Sequence, residues 1–291
     1  MTMASLAPSL ALPCHTFQTS HGPIDYRNHR RSSEVPQLLA IAGLGEPWLM
    51  VAPMALHLDQ NAVIVELPAR QHELSRTNRY HLSTITEMIA ELCDDLFIAP
   101  TVISGHSLGC LVAANLTRYL MPRPQSLILI SPPGRTVSEV LSSQRCDLLF
   151  KSSVHRRAAA ALTGLLVSEM MPLALTQRAL QVSPKLNPIL RQVLASPSCV
   201  EHLAIQALAS QFRRAPVKQI FRQAEALDIQ QLYADHSAKA AVAIVGSEDR
   251  LAPARDSSQF GESWRTVVVE PGSHWLPFEH PHILKMATHF K

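Results

Sequence analysis

The sequence is poor in the features that build disulfide-bonded or metal-bound proteins. It has only five cysteines among 291 residues, they are scattered along the chain, and no two form a C-x-x-C pair. Fourteen histidines are present, but none stands in an H-E-x-x-H spacing. These absences argue against a disulfide framework and a metal site and favour a reducing compartment. We therefore expect a cytoplasmic protein with no bound metal.

Long apolar runs and a strong charge of one sign are also missing. No apolar run reaches the roughly 18 residues that a membrane-spanning helix needs. Residues 1–14 are apolar but lack a basic start, so we expect a poorly structured leader and not a signal peptide. The formal net charge of +3 gives no reason to expect nucleic-acid binding.

The small basic excess is unevenly distributed. The segment from Arg135 to Asp235 holds twelve Lys and Arg residues against seven Asp and Glu residues. This segment is either a solvated helical surface or a docking face for an anionic partner.

One pentapeptide carries the strongest functional signal. Residues 105–109 read Gly-His-Ser-Leu-Gly and lie between an apolar run at 101–104, predicted as a strand, and a predicted helix from residue 110. A G-x-S-x-G turn between a strand and a helix is typical of a nucleophile elbow, which lifts the serine hydroxyl out of the sheet. Ser107 is therefore a candidate nucleophile, and a tight turn without chemistry is the alternative.

The remaining pattern predicts an α/β fold. Buried strands without polar–apolar alternation, joined by helices, are typical of a parallel sheet. We predict a mostly parallel central sheet of about eight strands flanked by helices, with a helical lid inserted after the sixth strand. The predicted strands are residues 15–20, 24–28, 38–41, 62–65, 101–104, 126–130, 241–245 and 266–270.

The same pattern predicts the domain bounds and the main helices. Residues 15–132 and 236–291 form the core and residues 133–235 the lid. Helices are predicted over residues 47–58 and 83–96, the second opened by a capping box of Thr84 and Glu87.

A serine nucleophile needs a base, and the base needs an acid that orients it. Behind a nucleophile elbow the acid and then the histidine follow late strands. The strand at 241–245 leads into Asp249, which we predict as the acid, with the adjacent Glu248 as its competitor. The strand at 266–270 leads into His274, which we predict as the base. The alternatives are a helix N-cap for Asp249 and an ordinary histidine at 274.

A tetrahedral intermediate also needs donors for its oxyanion. The backbone N–H of Leu108, directly after the nucleophile, is the first candidate. The second is the N–H of Leu44 in the Ala-Gly-Leu-Gly turn at 42–45, whose glycines let the backbone approach a substrate. An ordinary strand-to-helix turn is the alternative at 42–45.

In this order the segments resemble the α/β-hydrolase fold family with a lid, from about Phe17 over nearly the whole chain. The resemblance implies the fold and a Ser–Asp–His set, but not the substrate. Residues 66–74 are in addition similar to a segment of type II thioesterases, which release acyl groups from carrier proteins. Two positions depart from the family pattern, because Ala42 replaces a histidine in the oxyanion turn and Ala69 replaces a glycine.

Four residues near these motifs are predicted to contact the substrate. They are Gly43, Trp48, His106 and Trp275. For the two tryptophans, packing in the core is the alternative.

The predicted function is that of a serine hydrolase acting on an ester or thioester, without cofactor or metal. We expect a small-molecule acyl substrate with a hydrophobic acyl group, either free or bound to coenzyme A or an acyl carrier protein. Two alternatives stay open. The same triad can transfer or cyclise the acyl group, or the chain can be a non-catalytic ligand-binding protein of the same fold.

Overall fold

The computed structural model describes residues 12–29, 37–43, 48–58, 60–68, 81–134, 229–249, 252, 260 and 263–288. The strands are β1 (Cys14–Thr19), β2 (Gly22–His29), β3 (Leu38–Ile41), β4 (Ala62–Val65), β5 (Val102–His106), β6 (Ser126–Ile130), β7 (Ala240–Gly246) and β8 (Trp264–Val269). The helices are a short 3-10 turn (Trp48–Met50), α1 (Ala52–His57), α2 (Leu82–Asp95), α3 (Gly109–Leu116), α4 (Ile229–Ala234), α5 (Leu276–Glu279) and α6 (Ile283–Thr288).

The eight strands form one sheet in the order β1-β2-β4-β3-β5-β6-β7-β8. β2 runs antiparallel to both of its neighbours, β1 and β4, and every other pairing in the sheet is parallel. This arrangement confirms the predicted mostly parallel sheet of about eight strands.

Alternate residues of the central strands enter two separate cores. Leu39 and Ile41 of β3 face a core closed by α2, α3 and α4. Leu38 and Ala40 of the same strand face a second core, closed by α1, α5 and α6. Because helices cover both faces, the strands are apolar at successive positions, and this explains the unbroken apolar runs in the sequence.

The strand order reverses at β3 and β5, which are neighbours. The chain leaves β3 toward β4 on one side and leaves β5 toward β6 on the other. Ligands of open α/β sheets bind beyond the carboxyl ends of the strands at such a switch point. The fold thus places the turn after Ile41 and the turn after His106 at the expected binding edge.

Two local predictions were wrong in detail. The helix predicted over 47–58 is a 3-10 turn followed by α1, with Pro53 in the first turn of α1. The predicted capping box is absent, because α2 begins at Leu82 and Thr84 therefore lies inside the helix. Glu87 instead contacts His21 at the tip of the first hairpin, with 3.0 Å between Oε2 and Nε2.

The predicted lid falls almost entirely on residues 135–228, which lie outside the described residues. Its two ends are described and lie together, because the hydroxyl of Tyr233 donates a 3.0 Å hydrogen bond to the carbonyl oxygen of Pro133. Tyr233 is fully buried and packs against Trp264 and Phe260. Burial raises the pKa of Tyr233 well above its usual value, so that the phenol stays a neutral donor.

Candidate active site

The turn after β5 has the geometry of a nucleophile elbow. Ser107 has a φ of 50°, a left-handed backbone that non-glycine residues rarely adopt. Its N–H donates to the carbonyl oxygen of Ile130 in β6 at 3.0 Å, which anchors the turn to the neighbouring strand. α3 begins two residues later, at Gly109.

The two glycines of the motif are required by close backbone approaches. A β-carbon on Gly109 would lie 2.5 Å from the carbonyl oxygen of Ala42 and 2.6 Å from that of Ile41. A β-carbon on Gly105 would collide with the carbonyl of Gly109 itself. The elbow therefore packs directly against the end of β3.

Two further loops, after β7 and β8, are joined in the same way. A β-carbon on Gly246 would collide with the carbonyl oxygen of Gly272. That same oxygen accepts a 2.8 Å hydrogen bond from the N–H of Glu248. The loop that carries Asp249 and the loop that carries His274 therefore form one connected edge beside the elbow.

The three predicted side chains meet at this edge. Nε2 of His274 lies 3.0 Å from Oγ of Ser107, and Nδ1 of His274 lies 2.9 Å from Oδ2 of Asp249. Because a carboxylate only accepts, Nδ1 carries the proton and Nε2 is the acceptor of the serine hydroxyl. Both His274 and Asp249 are 4% exposed.

Asp249 is held by a second hydrogen bond, and the competing acid Glu248 points to solvent. Oδ1 of Asp249 accepts a 2.8 Å hydrogen bond from the N–H of Ala252, which leaves Oδ2 aimed at His274. Glu248 is exposed. The geometry thus separates two adjacent acidic residues that the sequence left in competition.

Of the two predicted oxyanion donors, one is described. Leu108 immediately precedes α3, and the first N–H groups of a helix have no acceptor within it. Leu44 lies outside the described residues. Gly43, which precedes it, is buried at the end of β3 beside the elbow.

His106, predicted from the sequence to contact the substrate, lies inside the protein next to Ser107. Its side chain is fully buried, and Nε2 donates a 2.7 Å hydrogen bond to the carbonyl oxygen of His274. The alternation of β5 explains this placement, because a residue that ends a central strand points into a face covered by other elements.

The two tryptophans occupy different places. The guanidinium of Arg27 lies 4.9 Å from the ring centre of Trp48. The main-chain N–H of Trp48 donates a 2.7 Å hydrogen bond to the carboxylate of Glu66. Trp48 also packs against the second core, in agreement with the packing alternative. Trp275 is buried, and its ring lies 5.4 Å from that of His274, at 89° to it.

The support of the His274 loop was not predicted from the sequence. The carboxylate of Glu279 accepts hydrogen bonds from the N–H of Ser273 at 3.0 Å and from its hydroxyl at 2.7 Å. The hydroxyl oxygen of Ser273 also accepts a 3.1 Å hydrogen bond from the main-chain N–H of Trp275. A serine and a glutamate six residues apart do not form a pattern typical of a helix or a strand. Only the folded loop therefore reveals these hydrogen bonds.

The described residues contain no cluster of three or more His, Cys, Asp or Glu side chains that could hold a metal ion. Within the same ranges, no helix combines the length and apolar character required to cross a membrane.

The chain is similar to known proteins both in sequence and in structure. Residues 38–285 match the sequence model of the Alpha/beta hydrolase family. The chain is 23% identical over 254 residues to the dihydrolipoyllysine-residue acetyltransferase component of the acetoin cleaving system of Pseudomonas putida. That match covers 83% of this chain and 59% of the relative, so the chain spans well under two thirds of that protein's length.

Two solved structures illustrate the shared fold. A hydrolase from Pseudomonas aeruginosa PA01 superposes with a TM-score of 0.62 at 19% identity, over 96% of this chain and 97% of that one. The enol-lactonase from Burkholderia xenovorans LB400 gives a TM-score of 0.62 at 16% identity, over 94% and 98% of the two chains. The family match covers most of the sequence and the strand order agrees with it, so this chain belongs to the alpha/beta hydrolase family.

Proposed function

We propose that the protein is a serine hydrolase that cleaves an acyl ester or thioester through Ser107, His274 and Asp249. The observation that carries the proposal is the continuous chain of hydrogen bonds from Oγ of Ser107 through both ring nitrogens of His274 to Oδ2 of Asp249. A serine hydroxyl is nearly unreactive at neutral pH without such a base, and an imidazole is oriented and stabilised as a cation by such a carboxylate.

The reaction begins with acylation. Nε2 of His274 takes the proton of Ser107 while Oγ forms a bond to the acyl carbonyl carbon. The resulting oxyanion is stabilised by the main-chain N–H of Leu108 and by that of Leu44, the second donor predicted from the sequence. His274 then gives its proton to the leaving alcohol or thiol as the bond to that group breaks.

Deacylation repeats the same steps with water. His274 takes a proton from water, the hydroxide oxygen bonds to the carbonyl carbon, and the acid leaves as Ser107 recovers its proton. Side chains and water carry every proton, so this mechanism requires no cofactor.

Covalent labelling tests the proposal. We expect a fluorophosphonate probe to label the native protein once, at Ser107, and the Ser107→Ala variant to remain unlabelled. Ser131→Ala is the matched control, because Ser131 has a similar left-handed φ of 48°, directly follows the adjacent strand β6 and is buried. Labelling that persists in Ser107→Ala, or is lost in Ser131→Ala alone, contradicts the role of Ser107, and a native protein that stays unlabelled favours a non-catalytic binding protein.

The substrate class rests on the sequence. The apolar content of residues 133–235 supports a hydrophobic acyl group, and their basic excess supports an acidic carrier such as coenzyme A or an acyl carrier protein. We expect the double charge reversal Arg213→Glu and Arg214→Glu to raise KM for a carrier-bound thioester and to leave KM for a p-nitrophenyl ester unchanged. An equal effect on both substrates, or none on either, contradicts the carrier.

Acyl transfer is the second candidate, favoured by the Pseudomonas putida relative, whose name is that of an acetyltransferase component. Product analysis with and without an added alcohol or amine separates the two. Free acid formed at the same rate in both reactions supports hydrolysis, whereas a new ester or amide formed at the expense of acid supports transfer.

We propose a cytoplasmic location on the basis of the cysteine pattern. Cys14, Cys93 and Cys110 form no disulfide within the described part of the chain, and the scattered cysteine pattern supports the cytoplasm. Fractionation of cells that express the tagged protein checks this location.

A further inference from the structure

His106 is fully buried next to the nucleophile, yet it is not a member of the Ser–His–Asp chain. Its Nε2 lies 2.7 Å from the main-chain carbonyl oxygen of His274, a residue 168 positions later. A carbonyl oxygen only accepts, so Nε2 of His106 carries the hydrogen and donates it. The bond therefore joins the residue before the nucleophile to the backbone of the base.

The sheet by itself does not hold these two elements together. β5, which ends at His106, and β8, which precedes His274, are separated by β6 and β7. Neighbouring strands lie about 4.8 Å apart, so the two strands are about 14 Å apart and share no ladder hydrogen bond. The loop after β8 must reach back across this gap to bring its imidazole to Ser107.

We propose that His106 is a positioning residue that holds the imidazole of His274 at Ser107, an inference that rests on the proposed function. A hydrogen bond on the carbonyl of His274 restricts rotation of its main chain, and this sets the direction in which its side chain leaves the backbone. The His106 ring also packs against the imidazole, with 5.2 Å between ring centres, and against Trp275 at 5.9 Å. The rings of His106 and Trp275 therefore both contact the imidazole of His274.

This support matters most after acylation. In the acyl-enzyme, Oγ of Ser107 is bonded to the acyl carbon and no longer offers a hydrogen to His274. Asp249 and His106 then keep the imidazole in place while it activates water. Deacylation is therefore expected to depend on His106 more strongly than acylation does.

A pair of amide variants tests the bond. The side-chain nitrogen of glutamine reaches about as far as Nε2 of histidine, whereas that of asparagine reaches only as far as Nδ1. We expect His106→Gln to retain most of kcat, and His106→Asn to lose about 10- to 100-fold in kcat with little change in KM, because a misplacement of about 1 Å costs on that order. His106→Asn should also show a burst of p-nitrophenol, since slower deacylation lets the acyl-enzyme accumulate.

The controls separate positioning from folding. Rates are expressed per Ser107 that a fluorophosphonate titrates, and Ser104→Ala, a buried change on the same face of β5, should keep the native rate. His106→Phe, which keeps the ring and removes the donor, replaces His106→Asn if the latter does not fold. A native kcat per titrated site in His106→Asn or His106→Phe overturns the inference, as does a His106→Gln variant as impaired as His106→Asn.

A spectroscopic readout keeps this inference distinct from the proposed function. The Nδ1 proton of His274 that bonds Asp249 should give a downfield NMR signal in the native protein and in His106→Gln. We expect exchange with water to broaden it in His106→Asn. If the native protein is not labelled at Ser107, the proposed function fails, and this signal alone decides the positioning role. An unchanged signal in His106→Asn overturns it.

Discussion

Oδ2 of Asp249 accepts a 2.9 Å hydrogen bond from Nδ1 of His274, while the neighbouring Glu248 is exposed. Two adjacent acids are thus separated by the turn that begins at Gly246, whose carbonyl oxygen accepts from the N–H of Asp249 at 3.2 Å. One acid enters the buried edge and the other faces solvent. This difference makes the pair a matched test of the acid's role.

We expect Asp249→Asn to reduce kcat by about 10⁴-fold, the loss seen when the orienting carboxylate of a serine triad becomes an amide. An amide can donate to Nδ1, which favours the wrong tautomer and leaves Nε2 unable to accept the serine proton. Steady-state hydrolysis of a p-nitrophenyl ester measures the loss. Glu248→Gln is the control and should stay within about twofold of the native rate, since its side chain does not reach His274. Equal rates for the two variants would remove Asp249 from the mechanism.

We expect Gly109→Ala to destabilise the fold by about 1–3 kcal/mol, the usual cost of forcing atoms into a packed site. The new β-carbon would meet the carbonyl oxygens of Ala42 and Ile41, and backbone atoms move less readily than side chains. Urea unfolding followed by circular dichroism measures the change. Arg118→Ala, at a half-exposed position just beyond α3, should change stability by less than about 0.5 kcal/mol. A native-like midpoint for Gly109→Ala would contradict the close approach of α3 to β3.

We expect Tyr233→Phe to cost about 1–3 kcal/mol, because the buried carbonyl oxygen of Pro133 loses its donor. The aromatic contacts with Phe260 and Trp264 are kept in this variant, so the loss reports the hydrogen bond. Urea unfolding again gives the difference. Tyr119→Phe removes a hydroxyl from a half-exposed side chain and should be close to neutral. If the two variants are equally stable, the bond between the ends of the 133–235 segment contributes nothing.

His236 should make stability depend on pH. Burial lowers the pKa of its imidazole below the ordinary value of 6.5, and its ring packs edge-on against Trp264 with 5.0 Å between centres. Well above pH 6.5 the residue is neutral in both states and contributes no pH dependence. As pH falls below 6.5 the unfolded chain takes up a proton before the folded chain does, so stability is lost on acidification.

The measurement is the difference in unfolding free energy between the native protein and His236→Gln from pH 8 to pH 5. We expect the two curves to run parallel above about pH 7 and the native curve to fall more steeply below about pH 6.5. His282→Gln, a change at an exposed histidine, is the control and should follow the native curve. Parallel curves over the whole range would contradict a lowered pKa at His236.

Much of the fold could be predicted because its signals are local. The runs 38–41, 62–65 and 126–130 were predicted with the bounds that β3, β4 and β6 have, since strands buried on both faces are apolar throughout and end sharply at polar or glycine residues. The capping box failed for the opposite reason. Thr84 and Glu87 have the right spacing, but Glu87 contacts His21 on the β1–β2 hairpin instead. That contact joins distant parts of the chain.

The sequence by itself determined the order of strands and helices, the sharp turn at Ser107 and the residue types that follow the late strands, because each depends on neighbours within a few positions. Only the tertiary structure shows that Asp249, and not Glu248, accepts a hydrogen bond from His274, and only it shows that His106 donates to the backbone of His274. Those outcomes depend on which atoms of separate strands meet across the sheet edge. Hydrogen-bond geometry in a buried site selects them, and no local periodicity encodes it.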